Sequence, residues 1–436
     1  MRFKGLTKTL QSSHALQRHE ISLQRQPRFT RHSERQGGYQ VNPAVNNHPA
    51  APEAAWERIK AVHPAEYART RNAIEGAVSH LSPYITHGFV SLREVYEGVA
   101  QSHNLKQQDK FVFELGWRAY FRHVWQHRGD AIFTSLHSGP LPDHHYSRSV
   151  PDDIRQAQTG VNAIDMAIRG LYDSGSMHNH ARMWLASYMV HLRKIHWRAG
   201  ADWLYGHLLD GDLASNHLSW QWVAGTSSTK PYLFNAENVA RYAPVPWHSP
   251  GSVIDASYET LAQIAHQPPD QWLAPQPCQA SHPAANEPAM FSAPPSPWRH
   301  CAPDAAMVEA RDVWLVHPWS LGPLPTDLSE ETLVIGISVA DFHEKWPWSE
   351  KRWHFVEQRM ADLTALRWHG EANALKTALE KARSVRCNDE PHLAHWLRQW
   401  AACETPHSLF APVDPICNSF SQWWKQASPK WPAAST

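Results

Sequence analysis

Between Trp56 and about residue 242, apolar positions recur at intervals of three and four, the period of helices that bury one face. "SLREVYEGVA" opens on Ser91, a residue type suited to helix N-caps, and sets Leu92, Val95, Tyr96 and Val99 at helical spacing. "DKFVFELGWRAYFRHVWQHRG" places Phe111, Leu115, Phe121 and Val124 among charged and aromatic neighbours and stops at Gly129. "VNAIDMAIRGLYDSG" reads as a further helix ended by a Ser-Gly break. "MHNHARMWLASYMVHLRKIHW" reads as one long apolar helix whose basic last turn suits the helix dipole. No alternating run interrupts the pattern, so an all-helical domain is expected over residues 56–267.

On either side the texture changes. Residues 1–55 are polar and rich in Arg, Gln and His, which predicts a basic, weakly ordered arm. It is either a solvated tail or a segment that touches phosphates. Residues 268–305 are dominated by Pro and Ala, which predicts a semi-extended linker. Over 306–436, "DVWLVHPWSL" and "ETLVIGISVADF" read as strands. "SEKRWHFVEQRMADLTAL" reads as a helix with Ser349 as N-cap and Trp353, Val356, Met360 and Leu363 on one face. "ANALKTALEKA", "SVRC", "EPHLAHWLRQW" and "SLFAPVD" continue the alternation, predicting a small α/β module with a parallel sheet. The expected fold class is therefore mainly α, with this smaller module after the Pro-rich linker.

Composition narrows the setting. The 436 residues are 42% hydrophobic with a formal net charge of zero, as in an ordinary globular protein, so nucleic-acid binding would need a local basic patch. All five cysteines lie after residue 277 and none forms a C-x-x-C pair, which fits a reducing, cytoplasmic setting. The 30 histidines lack a surrounding ligand set, so no metal site is expected. No apolar run has bilayer length, so no membrane contact is expected; the chain is expected to act as a monomer.

Candidate chemistry lies in the helical part. Glu114, Trp117 and Arg118 share one helix face, as a surface ion pair beside a packed indole or as part of a site. Asn179 and Arg182 again lie three apart, in an otherwise apolar helix where an unpartnered guanidinium is costly to bury. The natural partner for Arg182 is an aspartate of "DGDLASNHLSWQW", where Asp210, Asp212, Asn216, Trp220 and Trp222 crowd together.

Taken in order, "SHLSPYITHG", "ELGWRAYFRH", "MHNHARMW", "HW" and "DGDLASNHLSWQW" resemble the flavin-binding helical domain of DNA photolyases and cryptochromes, over roughly residues 56–242. The resemblance implies FAD as cofactor. Ser79, His80, Leu81 and Ser82 would hold its diphosphate, with Tyr67, Phe111 and Arg118 as further contacts. Asp210, paired with Arg182, would accept from the flavin ring; Asp212 would lie near ribose and ring, and Asn216 would face the reactive ring nitrogen.

On the substrate side, the resemblance implies UV-damaged DNA as partner and light-driven splitting of a pyrimidine dimer. Trp117 and Trp222 would sandwich the flipped bases, at about 1–3 kcal/mol of stacking per base, while Glu114 and Asn179 hydrogen-bond them. An asparagine at 179, where the (6-4) branch has histidine, places the chain nearer the cyclobutane type. His180 stands where a basic residue commonly contacts DNA. Trp220 and Trp197 would be two members of an electron-carrying tryptophan chain. "HHYSRSVPDDIRQAQTG" offers no third, and Trp184 and Trp203 are nearby candidates better explained by packing. The alternative is a cryptochrome-like photoreceptor that binds FAD without repairing DNA.

In the family an antenna-chromophore α/β module precedes the helical domain, whereas only about 55 residues do so here. The later "VIGISVADFHEKWPWSEKRWHFVEQRM" is similar in texture to that module, with a "WS-x-x-R-x-x-F" helix. It is either a rearranged antenna-like domain, with or without a second chromophore, or an unrelated module.

Overall fold

Proline at the first helical position forfeits no hydrogen bond, and the first helix among the described residues begins at such a residue. This helix, α1 (Pro52–Lys60), begins four residues before the expected boundary. The computed structural model describes residues 48–272, 282–296 and 300–431, so most of the basic arm lies outside the described residues. Next come α2 (Pro64–Thr70), α3 (Ser82–Thr86), α4 (Leu92–Ala100) and α5 (Lys110–Arg128). Ser91 starts α4 through a capping box: its hydroxyl accepts from the Glu94 amide at 3.1 Å while the Glu94 carboxylate accepts from the Ser91 amide at 2.7 Å. The helical part continues with α6 (Asn162–Ser174), α7 (Asn179–Ser187), α8 (Trp197–His207), α9 (Leu213–Ala224), α10 (Ala236–Tyr242) and α11 (Tyr258–Ala265).

The long helix expected over residues 177–197 is broken in two. After α7 the chain makes a single π turn over Tyr188–Leu192, then turns at Lys194, whose φ is +51°. Left-handed backbone is unfavourable for a side chain as long as lysine. Here the side chain compensates, because its ammonium donates to the Ile264 carbonyl at 2.6 Å and the Ala265 carbonyl at 3.3 Å, capping the end of α11. Periodicity could not reveal this break, since both halves are apolar on their inner face.

The C-terminal part contains β1 (Met290–Phe291), β2 (Asp312–Val316), β3 (Leu333–Val339), α12 (Ala340–Lys345), β4 (Trp348–Ser349), α13 (Glu350–Leu363), β5 (Arg367–Gly370), α14 (Ala372–Leu379), β6 (Ser384–Asn388), α15 (Ala394–Trp400), β7 (Ala402–Glu404) and α16 (Phe420–Ala427). Five strands form one parallel sheet in the order β5-β3-β2-β6-β7, and β1 pairs antiparallel with β4. "SLFAPVD" forms neither helix nor strand; the last strand falls earlier, at Ala402–Glu404. Strand order reverses about β2, so the loops after β2 and β6 flank the crevice where doubly wound sheets usually hold ligands. Here those loops meet helical residues: the Pro318 carbonyl lies 2.5 Å from the His87 ring, and Glu390 pairs with Arg122.

Packing ignores the expected linker boundary. One continuous core joins α1, α4 and α5 to the sheet, while α6, α7 and α8 centre a second core. Phe355 of α13 lies 5.2 Å from Phe89 and 5.7 Å from Tyr84, within the range of aromatic packing. The Pro-rich segment is itself anchored. Glu287 accepts two bonds from Arg155 at 2.8 Å, one from the Trp203 indole at 2.7 Å, and faces the His207 ring at 3.0 Å.

Burial alone would push the Glu287 carboxyl up, but its bonds from His207, Arg155 and Trp203 bring it down to about 2. A depressed folded-state value stabilises the fold above the ordinary 4.5, and that contribution is lost as pH falls toward 2. Glu287→Gln should therefore cost about 2 kcal/mol at neutral pH. In acid titrations followed by circular dichroism, its stability should converge with wild type between these two values.

Candidate functional site

A carboxylate buried to 1% exposure cannot stay ionised without opposite charge, and Asp212 is such a group. It caps α9, accepting from the Ser215 amide at 2.8 Å, and its other oxygen lies 2.7 Å from the Arg122 guanidinium. Burial would raise its pKa, but Arg122 and Arg118 hold it well below the usual carboxylate range. Arg122 also reaches Glu390 at 2.7 Å, and Glu390 accepts from Nδ1 of His392. The Nε2 of His392 then accepts from the Leu213 amide at 3.3 Å, which fixes the ring as the neutral Nδ1–H tautomer. Burial pushes the His392 pKa down, in agreement. Trp319 stacks on this ring at 4.5 Å.

Two residues earlier, Asp210 receives Arg182 Nη2 at 2.9 Å on each carboxylate oxygen, the pairing expected from the sequence. Arg182 Nε is held by the Met177 carbonyl at 2.8 Å. The loop carrying the two aspartates is gripped along its backbone. The Leu209 carbonyl faces His87 Nε2 at 2.9 Å, that of Asp210 accepts from the Thr86 hydroxyl at 3.2 Å, and that of Gly211 accepts from Arg352 at 2.6 Å. Burial and the nearby Arg352 push His87 down to about 3, so the ring is neutral and only one of its two carbonyl-facing nitrogens donates. Arg118 donates to Thr86 from the other side.

Because Thr86 ends α3, the Ser79–Ser82 segment lies one short helix away from the aspartate loop. Its turn places His80 at φ +52° and sets the Ser79 hydroxyl 3.5 Å from the Leu81 amide. The Leu81 side chain is buried in the core, as is Phe111, against which Tyr67 packs edge-on at 5.5 Å. Asn216 donates its amide to the Ala201 carbonyl at 2.8 Å, leaving its side-chain oxygen unbonded among the described residues.

A second group of expected residues forms a connected rim. Glu114 pairs with Arg71 at 3.1 Å, and Arg71 donates to Asn72 at 2.5 Å. The Asn72 carbonyl accepts from His180 Nδ1 at 2.7 Å, and His180 Nε2 faces the Tyr232 hydroxyl at 3.4 Å. Tyr232 packs on Trp222 at 5.6 Å. Asn179 is exposed at the start of α7, with its amide on the Met183 sulfur at 3.8 Å. His180, expected to stand in for a DNA-contacting residue, is instead 8% exposed and bonded inward, because Asn72 and Tyr232 satisfy both ring nitrogens. Trp117 stacks one face on Phe420 of α16 at 4.1 Å.

Trp220 and Trp197 are both buried, and Trp220 lies against Gly200, one turn along α8 from Trp197. A Cβ at Gly200 would sit 2.4 Å from that indole, so only glycine allows the approach. Trp184 bonds Asn238 and Trp203 bonds Glu287, so both serve packing. Outward from Trp197 the next rings are His196 at 5.6 Å and then Tyr146, 6.2 Å further. Sequence reasoning missed Arg71, Arg122, Arg352, Glu390 and His392. The one local signal was the spacing of Glu114, Arg118 and Arg122 at successive intervals of four.

The polar groups suit a flavin nucleotide. The flavin's imide edge carries one N–H between two carbonyls, and Asp210 beside Arg182 offers acceptor and donor side by side. Among the described residues Asn216 has an unbonded amide oxygen, and Ser79 and Ser82 carry hydroxyls of the kind that suits an anionic diphosphate. Among the described residues no metal-binding cluster occurs, and no helix is long and apolar enough to cross a membrane.

Comparison with known proteins agrees with this chemistry. Residues 111–245 match the family model described as the FAD binding domain of DNA photolyase. A deoxyribodipyrimidine photo-lyase of Streptomyces griseus is 36% identical over 172 residues, covering 38% of this chain and 37% of that protein. A cryptochrome DASH of Gloeobacter violaceus is 33% identical over 171 residues, covering 37% and 34%. A solved cryptochrome of Synechocystis sp. is 28% identical with a TM-score of 0.40, covering 44% of this chain and 43% of that one. The chain thus spans less than two-fifths of the length of these two curated relatives. Over residues 111–245 the chain thus matches the FAD binding domain of DNA photolyase, and its helical part is similar to photolyases and cryptochromes.

Proposed function

We propose that the protein repairs cyclobutane pyrimidine dimers in DNA, using light and reduced FAD. The observation that carries this reading is the rim: Glu114 and Trp222 are linked through Arg71, Asn72, His180 and Tyr232, with Asn179 exposed next to His180 on the helix that supplies Arg182 to Asp210. A photoreceptor that only binds flavin has no use for a stacking indole and hydrogen-bonding groups on that side. FAD, which Arg182, Asp210 and Asn216 would hold, would supply the light-driven electron transfer that splits the dimer.

The chain's own residues do the rest. Arg182 and Asp210 orient the ring edge, and the Ala201 carbonyl fixes the rotation of the Asn216 amide. Trp222 and Trp117 stack the flipped bases, which replaces base stacking lost on leaving the duplex. Glu114 and Asn179 hydrogen-bond the dimer, with Arg71 holding the Glu114 carboxylate in place. Trp197 and Trp220, the latter lying against Gly200 one turn along α8 from Trp197, carry electrons toward the flavin site.

The decisive assay mixes reduced holoprotein with a thymine-dimer oligonucleotide and follows thymine absorbance under blue light against a dark control. Recovery only in the light is expected. Bound flavin with no recovery would shift the reading to a photoreceptor, which the cryptochrome relatives make the second choice. Asp210→Ala should purify without FAD, since it leaves Arg182 unpaired at the ring edge; a full complement of flavin would move the pocket elsewhere. Glu114→Ala should keep FAD yet lower repair per absorbed photon about tenfold, the worth of one charge-assisted hydrogen bond. An unchanged quantum yield would remove Glu114 from the reaction.

A further inference from the structure

The loop from Leu209 to Asp212 presents both aspartates, and its backbone is held partly from outside the helical domain. Arg352, on α13 of the α/β domain, is 0% exposed. One guanidinium nitrogen donates to the Gly211 carbonyl at 2.6 Å and another to the Tyr205 carbonyl at 3.1 Å, in the last turn of α8. Its plane lies 3.9 Å from the centre of the Trp348 ring, so an aromatic wall fixes its position. A Cβ on Gly211 would meet the guanidinium at 2.4 Å, so the loop approaches Arg352 as closely as a backbone can. From the same domain, Glu390 holds Arg122 against Asp212 and His392 accepts from Leu213, the first residue of α9.

We propose that Arg352, Glu390 and His392 are positioning residues of the flavin site, so that FAD affinity depends on a domain outside the matched FAD-binding region. This rests on the FAD site assigned above. Arg352 sets the height of the loop between Asp210 and Asp212, and a planar fork reaching two carbonyls cannot be replaced by a single ammonium. Glu390 acts one step further out, by fixing the guanidinium that keeps Asp212 ionised. The α/β domain is then neither a tethered output module nor only a holder for a second chromophore. It forms the back wall of the site.

The test measures the FAD dissociation constant of apoprotein by fluorescence quenching, well below each variant's melting temperature, together with hydrogen exchange of residues 208–213 without FAD. Arg352→Lys and Glu390→Gln should each weaken FAD binding about 10- to 100-fold, the range for losing one or two hydrogen bonds to a charged group. Both should speed exchange in that loop. Arg93→Lys is the control, because Arg93 bonds the Ser408 carbonyl across the same two domains without touching the loop. It should leave affinity and loop exchange unchanged. Equal affinity in wild type and both variants would overturn the proposal. So would a loss in Arg93→Lys as large as in Arg352→Lys, which would mean general adhesion of the domains. Failure of wild type itself to bind FAD would count against the assigned site rather than against Arg352.

Discussion

Keeping the Asp212 carboxylate charged in a place water does not reach is the constraint around which this protein is arranged. Removing one partner of such a buried pair costs about 3–5 kcal/mol, so the surrounding structure must deliver the partner reliably. It does so through a relay across both domains, from Asp212 to Arg122, Glu390 and His392, and back to the first amide of α9. The relay closes on the helix it began with. Helix α9 therefore has its N-terminus satisfied twice, once by Asp212 on the Ser215 amide and once by His392 on the Leu213 amide.

Much of the helical part was legible because its determinants are local. Ser91 caps, Gly129 and Gly175 terminate, and the apolar period names the inner faces. The Arg182–Asp210 pair was legible too, since a guanidinium in an apolar helix needs an acid and the "DGDLASN" segment offers two. What stayed hidden depends on tertiary geometry. The π turn before Lys194 leaves the hydrophobic pattern intact, and Lys194 looks like any basic residue closing a helix. His180 carries nothing in its neighbours to say that Asn72 and Tyr232 occupy both nitrogens. Glu390 and Arg352 lie far along the chain from the loop they serve, beyond the reach of any local spacing.

The Pro-rich stretch shows why composition misleads about boundaries. Proline and alanine limit regular structure over 282–296 to the two-residue strand β1, yet a single carboxylate at Glu287 gathers four bonds from three side chains and fastens the segment to the helices. A linker by composition is a strap by contact. The same holds for the sheet it leads to, whose core is continuous with that of α1, α4 and α5.

The π turn at Tyr188–Leu192 has a consequence for register. Arg182 reaches Asp210 just before α9, while His191 reaches the Val223 carbonyl near its other end, at 2.9 Å. At about 100° per residue, nine residues of straight α-helix would set these two side chains on opposite faces. The wider turn absorbs that difference and lets one helical segment address both ends of α9.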